Sequence, residues 1–98
     1  MNPATKCGAP WQLLEMRAKL RLIDTQLIVL LSRRFELQRD VRTFKHGQGM
    51  PLHDSAREAD VLAHCTDLAE SLDVPLDIVR TLYAGIFEKG RGNPAQAP

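Results

Sequence analysis

The sequence predicts an all-α protein with three helices per chain, of which the N-terminal helix is by far the longest. Between Leu13 and Phe44, apolar residues recur at alternating steps of three and four, which is the heptad spacing of a long packed helix. No proline or glycine interrupts residues 11–46. Two shorter amphipathic segments follow, and no segment has the strict alternation of a β-strand.

Composition and charge argue against several classes of protein. A chain of 98 residues with 44% hydrophobic and 26% charged residues is expected to form one ordinary globular domain. The formal net charge of +1 argues against nucleic-acid binding, which normally requires a clearly basic domain. The longest apolar run, residues 27–31, is far too short to cross a membrane. Because there are two cysteines and no apolar signal peptide, we expect a reduced, cytoplasmic protein.

Proline, glycine and capping residues predict the element boundaries. Residues 1–10 carry two prolines and no periodicity, so they are expected to form a flexible tail ahead of a helix over about residues 11–46. The sequence HGQGMP, residues 46–51, ends that helix. A second helix is expected to begin near Asp54 or Ser55, where the sequence SARE fits a capping box.

The third helix is predicted after a turn at Leu72-Asp73-Val74-Pro75, in which Pro75 suits the first helical turn. Its apolar stripe runs from Ile78 to Phe87, and Gly90 is expected to end it. Residues 11–90 therefore form the predicted helical domain, and residues 91–98 a second flexible tail.

The length of the first helix predicts a homodimer. A helix over residues 11–46 would be about 50 Å long, whereas a compact domain of this size has a radius of gyration of about 13 Å. Two shorter helices of the same chain cannot cover so long an apolar stripe, and a second copy is the simplest way to bury the remainder. The alternative is a monomer whose first helix breaks near Ser32, although no helix-breaking residue stands there.

Several cations lie where a simple coiled coil would not place them. Arg34 occupies a position of the apolar seam, where a guanidinium needs a carboxylate, water or an anionic ligand. A core arginine satisfied by an internal acid explains this position at least as well. Lys45 lies about 16 Å further along the helix, so the two cations could hold a small dianion between them. Arg17 lies about 25 Å before Arg34 and could reach that anion only from an antiparallel partner chain.

Three ionisable residues, Asp54, Arg57 and Glu58, gather where the second helix is expected to begin. Acids in a first helical turn commonly cap the helix and complement its dipole, and this is the simpler interpretation of Asp54. Because the group follows closely after Lys45, the same residues could also line the rim of an anion-binding pocket. Both interpretations stay open from the residues alone.

Together these residues resemble the AroQ-type chorismate mutases, which are all-helical enzymes. The similarity covers about residues 12–90 and consists of short segments at the family's spacing. The matching segments are Met16-Arg17-Ala18-Lys19-Leu20 with Ile23-Asp24, Leu30-Leu31-Ser32-Arg33-Arg34, Val41 with Lys45, Pro51-Leu52-His53-Asp54, Arg57-Glu58, and Leu82-Tyr83-Ala84-Gly85-Ile86. The resemblance implies an intertwined homodimer with two composite active sites, in which chorismate is rearranged to prephenate.

The resemblance also implies a role for each site residue. Arg34, together with Arg17 of the partner subunit, would bind the two carboxylates of the substrate. Lys45 would contact a carboxylate and the ether oxygen of the breaking bond. Asp54 and Glu58 would engage the ring hydroxyl, and Arg57 would support the carboxylate side. Catalysis itself would be assigned to Lys45, Arg34 and Glu58.

The C-terminal end departs from the common form of the family. The family's common form has a glutamine late in the third helix. That position aligns near Pro94 of this chain, with Asn93 or Gln96 as substitutes, and the serine that precedes it in the family falls at Gly90. The ending Gly90-Arg91-Gly92 is similar to a short subclass, some of whose members are activated by a 3-deoxy-heptulosonate-7-phosphate synthase. The resemblance therefore implies such a synthase as a further partner.

The reaction so implied is an intramolecular pericyclic shift, which needs no nucleophile, general base, metal or cofactor. The sequence agrees, because it has no zinc-ligand spacing, no Ser/His/Asp set and no phosphate-binding glycine loop. Two rivals remain: a mutase or pyruvate lyase acting on 4-amino-4-deoxychorismate or isochorismate, and a non-catalytic dimeric helical interaction or regulatory module. A basic DNA-binding helix is disfavoured because acids interrupt its arginines.

Overall fold

The fold is built of helices alone. A computed structural model describes the backbone of residues 5–91 and the side chains of residues 10–91. Within that range lie three α-helices and no strand: α1 at Thr5–Gly47, α2 at Ser55–Ser71 and α3 at Leu76–Arg91. The prediction of an all-α fold with a long first helix is confirmed. None of the helices, over the residues described, carries an apolar stretch long enough to cross a membrane.

The helix ends differ from the predicted ones by a few residues. Helix α1 begins at Thr5 rather than near residue 11, and Pro10 lies inside it. Pro10 lacks the N–H that would donate to the carbonyl four residues earlier, and its ring crowds that carbonyl, but both effects fall within the first two turns of α1. Helix α3 runs to Arg91 instead of ending at Gly90, and Pro75 precedes it rather than lying in its first turn.

The chain divides into two compact units, residues 1–34 and residues 35–98. Over its described part, the first unit is a single stretch of α1. Its large apolar side chains lie in solvent: Trp11 is 66% and Leu13 45% exposed, and the others as far as Leu30 fall between these values. An apolar surface of this extent on one helix indicates an interaction surface, since monomeric proteins rarely expose so much.

The second unit has a small core between α2 and α3. Ala69 of α2 and Val79 and Ile86 of α3 are buried, with 5%, 8% and 3% of their surface exposed. On α3, the rings of Tyr83 and Phe87 pack one turn apart, with centroids 5.7 Å apart and planes tilted by 56°, an arrangement that aromatic pairs favour. The buried residues hold α3 against α2, whereas the ring contact lies within α3 itself.

Helices α1 and α2 end with the same hydrogen-bond pattern, in which the residue after the C-cap is left-handed and the next N–H reaches back to the third-last helical carbonyl. In α1 the left-handed residue is Gly49 (φ 68°), and the Met50 N–H donates to the Lys45 carbonyl over 2.8 Å. In α2 it is Asp73 (φ 59°), and the Val74 N–H donates to the Ala69 carbonyl over 2.8 Å. Glycine adopts this conformation without strain. Aspartate adopts it with steric strain between its Cβ and the backbone, which raises the free energy of the folded state.

Candidate functional site

Lys45 lies in the last turn of α1, and its position is set by the way the helix ends. The Lys45 carbonyl accepts two N–H groups of the following turn, from Gln48 over 3.1 Å and from Met50 over 2.8 Å. The side chain is half-buried. The helix ends at Gly47, two residues after the lysine, and the left-handed Gly49 turns the chain away from the helix axis. A cation also suits this place, since the C-terminal end of a helix carries partial negative charge.

Asp54 is the N-cap of α2. Its backbone is extended, and its Oδ1 accepts the Arg57 N–H over 3.0 Å. The predicted capping function of Asp54 is therefore confirmed. The capping box predicted to start at Ser55 is wrong, because the cap is Asp54 and the residue three positions after it is Arg57 rather than an acid. This hydrogen bond satisfies one of the N–H groups that a helix start leaves without a partner.

Arg57 and Glu58 point to different sides of α2, because successive helical residues are about 100° apart. The exposed Arg57 faces Asp60, with Nη1 3.8 Å from Oδ2. It also lines a shallow surface depression along the first turns of α2. The residues of that depression are Asp54, Ala56, Arg57, Ala59, Asp60 and Ala63. The structure thus places Asp54 and Arg57 along one depression, whereas the Glu58 carboxylate contacts His53 and Arg91.

Glu58 is half-buried and carries two basic neighbours, neither of which was predicted for it. Arg91, the last residue of α3, donates from Nη2 to Glu58 Oε1 over 2.8 Å. His53 Nε2 lies 3.7 Å from the other carboxylate oxygen and would pair with it when protonated. The acid at position 58 therefore ties the start of α2 to the end of α3.

Gly90 brings α1 to the same end of α3. Arg42 of α1 donates from Nη1 to the Gly90 carbonyl over 3.2 Å. The half-buried Gln38, one turn earlier, lies so close that a Cβ added at Gly90 would be 2.6 Å from its Nε2. A Cβ at position 90 would therefore force the flexible end of the Gln38 side chain to move. The last two residues of α3 therefore contact α1 through one residue and α2 through the other.

Arg17 and Arg34 belong to the first unit, residues 1–34. Arg17 is exposed on α1, whereas Arg34 is half-buried and already has an interaction within the chain. The interpretation of Arg34 as an arginine satisfied within the chain thus gains support, and an anionic ligand would have to share or replace that interaction. Asn93, Pro94 and Gln96, considered for the C-terminal amide, lie outside the described residues.

Sequence reasoning missed the roles of Gln38, Arg42, His53 and Arg91 at this site. The first two lie one turn apart on α1, but only the tertiary contact with Gly90 distinguishes them from other polar residues of that helix. The pairing of Arg91 with Glu58 spans 33 residues of sequence. No local spacing could have indicated it. Among residues 10–91, no group of histidine, cysteine and acidic side chains is arranged to hold a metal ion.

Comparison with known proteins identifies the family. The chorismate mutase type II family model matches residues 16–92. The T-protein of Enterobacter agglomerans is 35% identical over 78 residues, which are 80% of this chain and 21% of that protein. A 3-dehydroquinate dehydratase of Pyrobaculum aerophilum is 30% identical over 67 residues, which are 68% of this chain and 22% of that protein. No solved structure matches significantly.

The matched region of each of these two relatives is only about a fifth of its length, with coverage of 21% and 22%. The family match, by contrast, takes in α2, α3 and most of α1, and it includes every predicted site residue from Arg17 to Glu58, together with Gly90 and Arg91. Because it extends over residues 16–92, most of the sequence, this chain belongs to the chorismate mutase type II family.

Proposed function

We propose that this chain is an isomerase that converts chorismate to prephenate without a cofactor. The observation that carries the proposal is the family match over residues 16–92, which includes the whole series of cations and acids named for the site. The substrate is a small dicarboxylate, and the site offers it the positive side chains of Arg34, Lys45 and the partner subunit's Arg17.

Two physical effects drive the proposed reaction. Binding both carboxylates with the enolpyruvyl arm folded over the ring removes conformational freedom before the bond changes begin. In the transition state the carbon–oxygen bond lengthens and negative charge builds on the ether oxygen. The ammonium group of Lys45, held at the end of α1, stabilises that charge more strongly than it stabilises the bound substrate. Arg34 contributes carboxylate binding, and Asp54 and Glu58 hold the ring hydroxyl.

The remaining roles at the start of α2 follow from the contacts described. Glu58 is paired with Arg91 at 2.8 Å, so a ring hydroxyl would meet a carboxylate already fixed in orientation. A carboxylate has room for more than one donor, so the ion pair with Arg91 leaves acceptor positions for the hydroxyl. Arg57 keeps its exposed guanidinium near Asp60 and supports the carboxylate side of the substrate.

The active unit is proposed to be a homodimer. The exposed apolar surface of α1 supports this, because side chains such as Leu20 (57%) and Leu27 (53%) have no cover within the first unit. A second copy would bury these side chains and bring its own Arg17, which is exposed here, to the substrate. Light scattering coupled to gel filtration tests the assembly, and a stable monomer at micromolar concentration would refute it.

A 3-deoxy-heptulosonate-7-phosphate synthase is proposed as a further partner, and the cytoplasm as the location. Support for the partner comes from the ending Gly90-Arg91-Gly92, which resembles that of the short subclass. Gly90 and Arg91 both contact other helices of the second unit, so a partner that binds this end of α3 would act directly on Glu58. Chorismate turnover should then rise when the synthase is added.

The decisive experiment follows the loss of chorismate absorbance with purified protein. We expect Lys45→Ala to lower kcat by a hundredfold or more, since removing one pre-placed donor of this kind typically costs about 3 kcal/mol. Lys19→Ala is the matched control: it removes an exposed lysine of the same helix, two residues from Arg17 and pointing away from it. Both variants should keep the far-UV circular dichroism of the unmodified chain.

The same assay separates the rival functions. If isochorismate or 4-amino-4-deoxychorismate were turned over in preference to chorismate, the proposed substrate would be wrong. Absence of turnover on all three, with and without a synthase, would favour the non-catalytic helical module. A Lys45→Ala variant with near-normal turnover would refute the proposed mechanism.

A further inference from the structure

The Glu58 carboxylate has a basic side chain beside each of its oxygens. Arg91 Nη2 donates to Oε1 over 2.8 Å, and His53 Nε2 lies 3.7 Å from Oε2. The acid is the more sheltered member of the ion pair, with 23% of its side chain exposed against 42% for the arginine. Because an arginine side chain is always protonated in proteins, the charges of Glu58 and Arg91 offset each other whenever the acid is ionised.

Arg91 projects from a helix end that is itself held in place. The carbonyl of the preceding residue, Gly90, accepts a hydrogen bond from Arg42 Nη1 of α1 over 3.2 Å. The Gln38 side chain lies against the same glycine, since a Cβ added there would be 2.6 Å from Nε2. A cation also suits the last turn of a helix, where the partial charge is negative. The positive charge beside Glu58 is therefore a fixed feature of the site.

Asp54, the other acid proposed to engage the ring substituent, also lies beside positive charge. Its Oδ1 accepts the Arg57 N–H over 3.0 Å at the start of α2, where the helix dipole leaves partial positive charge. Both carboxylates keep acceptor positions for a further hydrogen bond. A neutral donor can use those positions freely, whereas a cation that approaches either acid meets positive charge of the protein next to it.

This difference separates two of the candidate substrates. The ring hydroxyl of chorismate is a neutral donor, whereas the amino group that replaces it in 4-amino-4-deoxychorismate binds a carboxylate as an ammonium ion. An ammonium group hydrogen-bonded to Glu58 Oε2 would lie at most about 8 Å from the guanidinium that contacts Oε1. That is no more than the Debye length at physiological ionic strength, about 8 Å, so the two cations repel each other.

We propose that Arg91 is a specificity-determining residue, whose charge makes the site select a ring hydroxyl over a ring amino group. This inference rests on the proposed function, in which Glu58 engages the ring substituent. The charge of Arg91, and not its shape, exerts the selection. Two unit charges at this separation near a protein surface should change the ratio of the two affinities on the order of tenfold.

The test compares kcat/KM for chorismate and for 4-amino-4-deoxychorismate in the unmodified chain and in variants of Arg91. Arg91→Gln keeps hydrogen-bond donors near Glu58 but removes the charge, so the preference for chorismate should fall about tenfold. Arg91→Lys keeps the charge and should keep the preference. Repeating the comparison in a His53→Gln background removes the other basic neighbour of Glu58, and the effect of Arg91→Gln should persist there.

Arg80→Gln is the matched control. It makes the same change on an exposed arginine of α3, eleven residues and about 16 Å before Arg91 along the helix axis. Chorismate carries one more net negative charge than its amino analogue, so any lost positive charge favours the analogue slightly. The control measures that general effect, and we expect less than about a twofold change in preference. Because the ion pair is partly exposed, the tenfold effect of Arg91→Gln should also shrink at high salt.

Two results would overturn the inference. One is an Arg91→Gln variant that turns over chorismate with a preference changed no more than in Arg80→Gln. The other is an equal loss of preference in Arg91→Lys and Arg91→Gln, which would make the shape of the arginine responsible. Either result leaves the proposed function standing. Absence of turnover by the unmodified chain on both substrates would instead refute the proposed function, and the role of Arg91 with it.

Discussion

Ile86 and Ile78 offer a matched pair of substitutions that tests where the core of the second unit lies. Both are isoleucines of α3, but Ile86 is 3% exposed and Ile78 58% exposed. Truncation to alanine removes three carbon atoms, worth about 2.4 kcal/mol of transfer free energy when the side chain is fully buried. At Ile86 the cavity left between α2 and α3 adds to this, so we expect a loss of about 3–4 kcal/mol in the free energy of unfolding.

At Ile78 less than half of the side-chain surface is buried and no cavity forms on truncation. The expected loss in the free energy of unfolding is therefore about 1 kcal/mol. Urea unfolding followed by circular dichroism at several protein concentrations measures both values. If Ile86→Ala lowered the free energy of unfolding by less than about 1 kcal/mol, Ile86 would not belong to the core between α2 and α3. A cost for Ile78→Ala that grows on dilution would instead show that a second copy covers that side of α3.

Two further substitutions test the helix ends. Asp54→Ala should lower the free energy of unfolding by about 1 kcal/mol in urea titrations, while Asp54→Asn, which also caps well, should leave it nearly unchanged. Since asparagine keeps the cap but lacks the charge, a drop in kcat for Asp54→Asn would report on substrate binding alone. Asp73→Gly should raise the melting temperature, because the left-handed residue at φ 59° then carries no Cβ strain. The same urea titration should show Gly49→Ala to be destabilised by about 1 kcal/mol, since φ is 68° there.

The local elements of the fold could be predicted because each rests on neighbouring residues. The heptad spacing from Leu13 to Phe44 predicted the long helix, and the glycines after Lys45 predicted its end. The start of α1 could not be placed, because the residues before Pro10 have no apolar period. The left-handed aspartate at position 73 has no sequence signature of the kind that Gly49 provides.

The site was predictable only in part for a related reason. Lys45 and Asp54 stand at helix ends, which sequence patterns mark well. The partner of Glu58 lies on another helix 33 residues away, and the contact of Gln38 with Gly90 spans an even longer stretch of sequence. Such pairs are fixed by how the helices pack, and packing follows from many weak apolar contacts rather than from a local motif.

The charged residues of the site also complement the helices on which they lie. Lys45 is in the last turn of α1 and Arg91 in the last turn of α3, where partial negative charge favours cations, and Glu58 is in the first turn of α2, where an acid is favoured. Each charge therefore lowers the free energy of its helix before any ligand arrives. Charges placed at helix ends cost little in stability, and for the same reason the capping function and the proposed binding function coincide at Asp54. Only substitutions that separate charge from capping, such as Asp54→Asn, can tell the two apart.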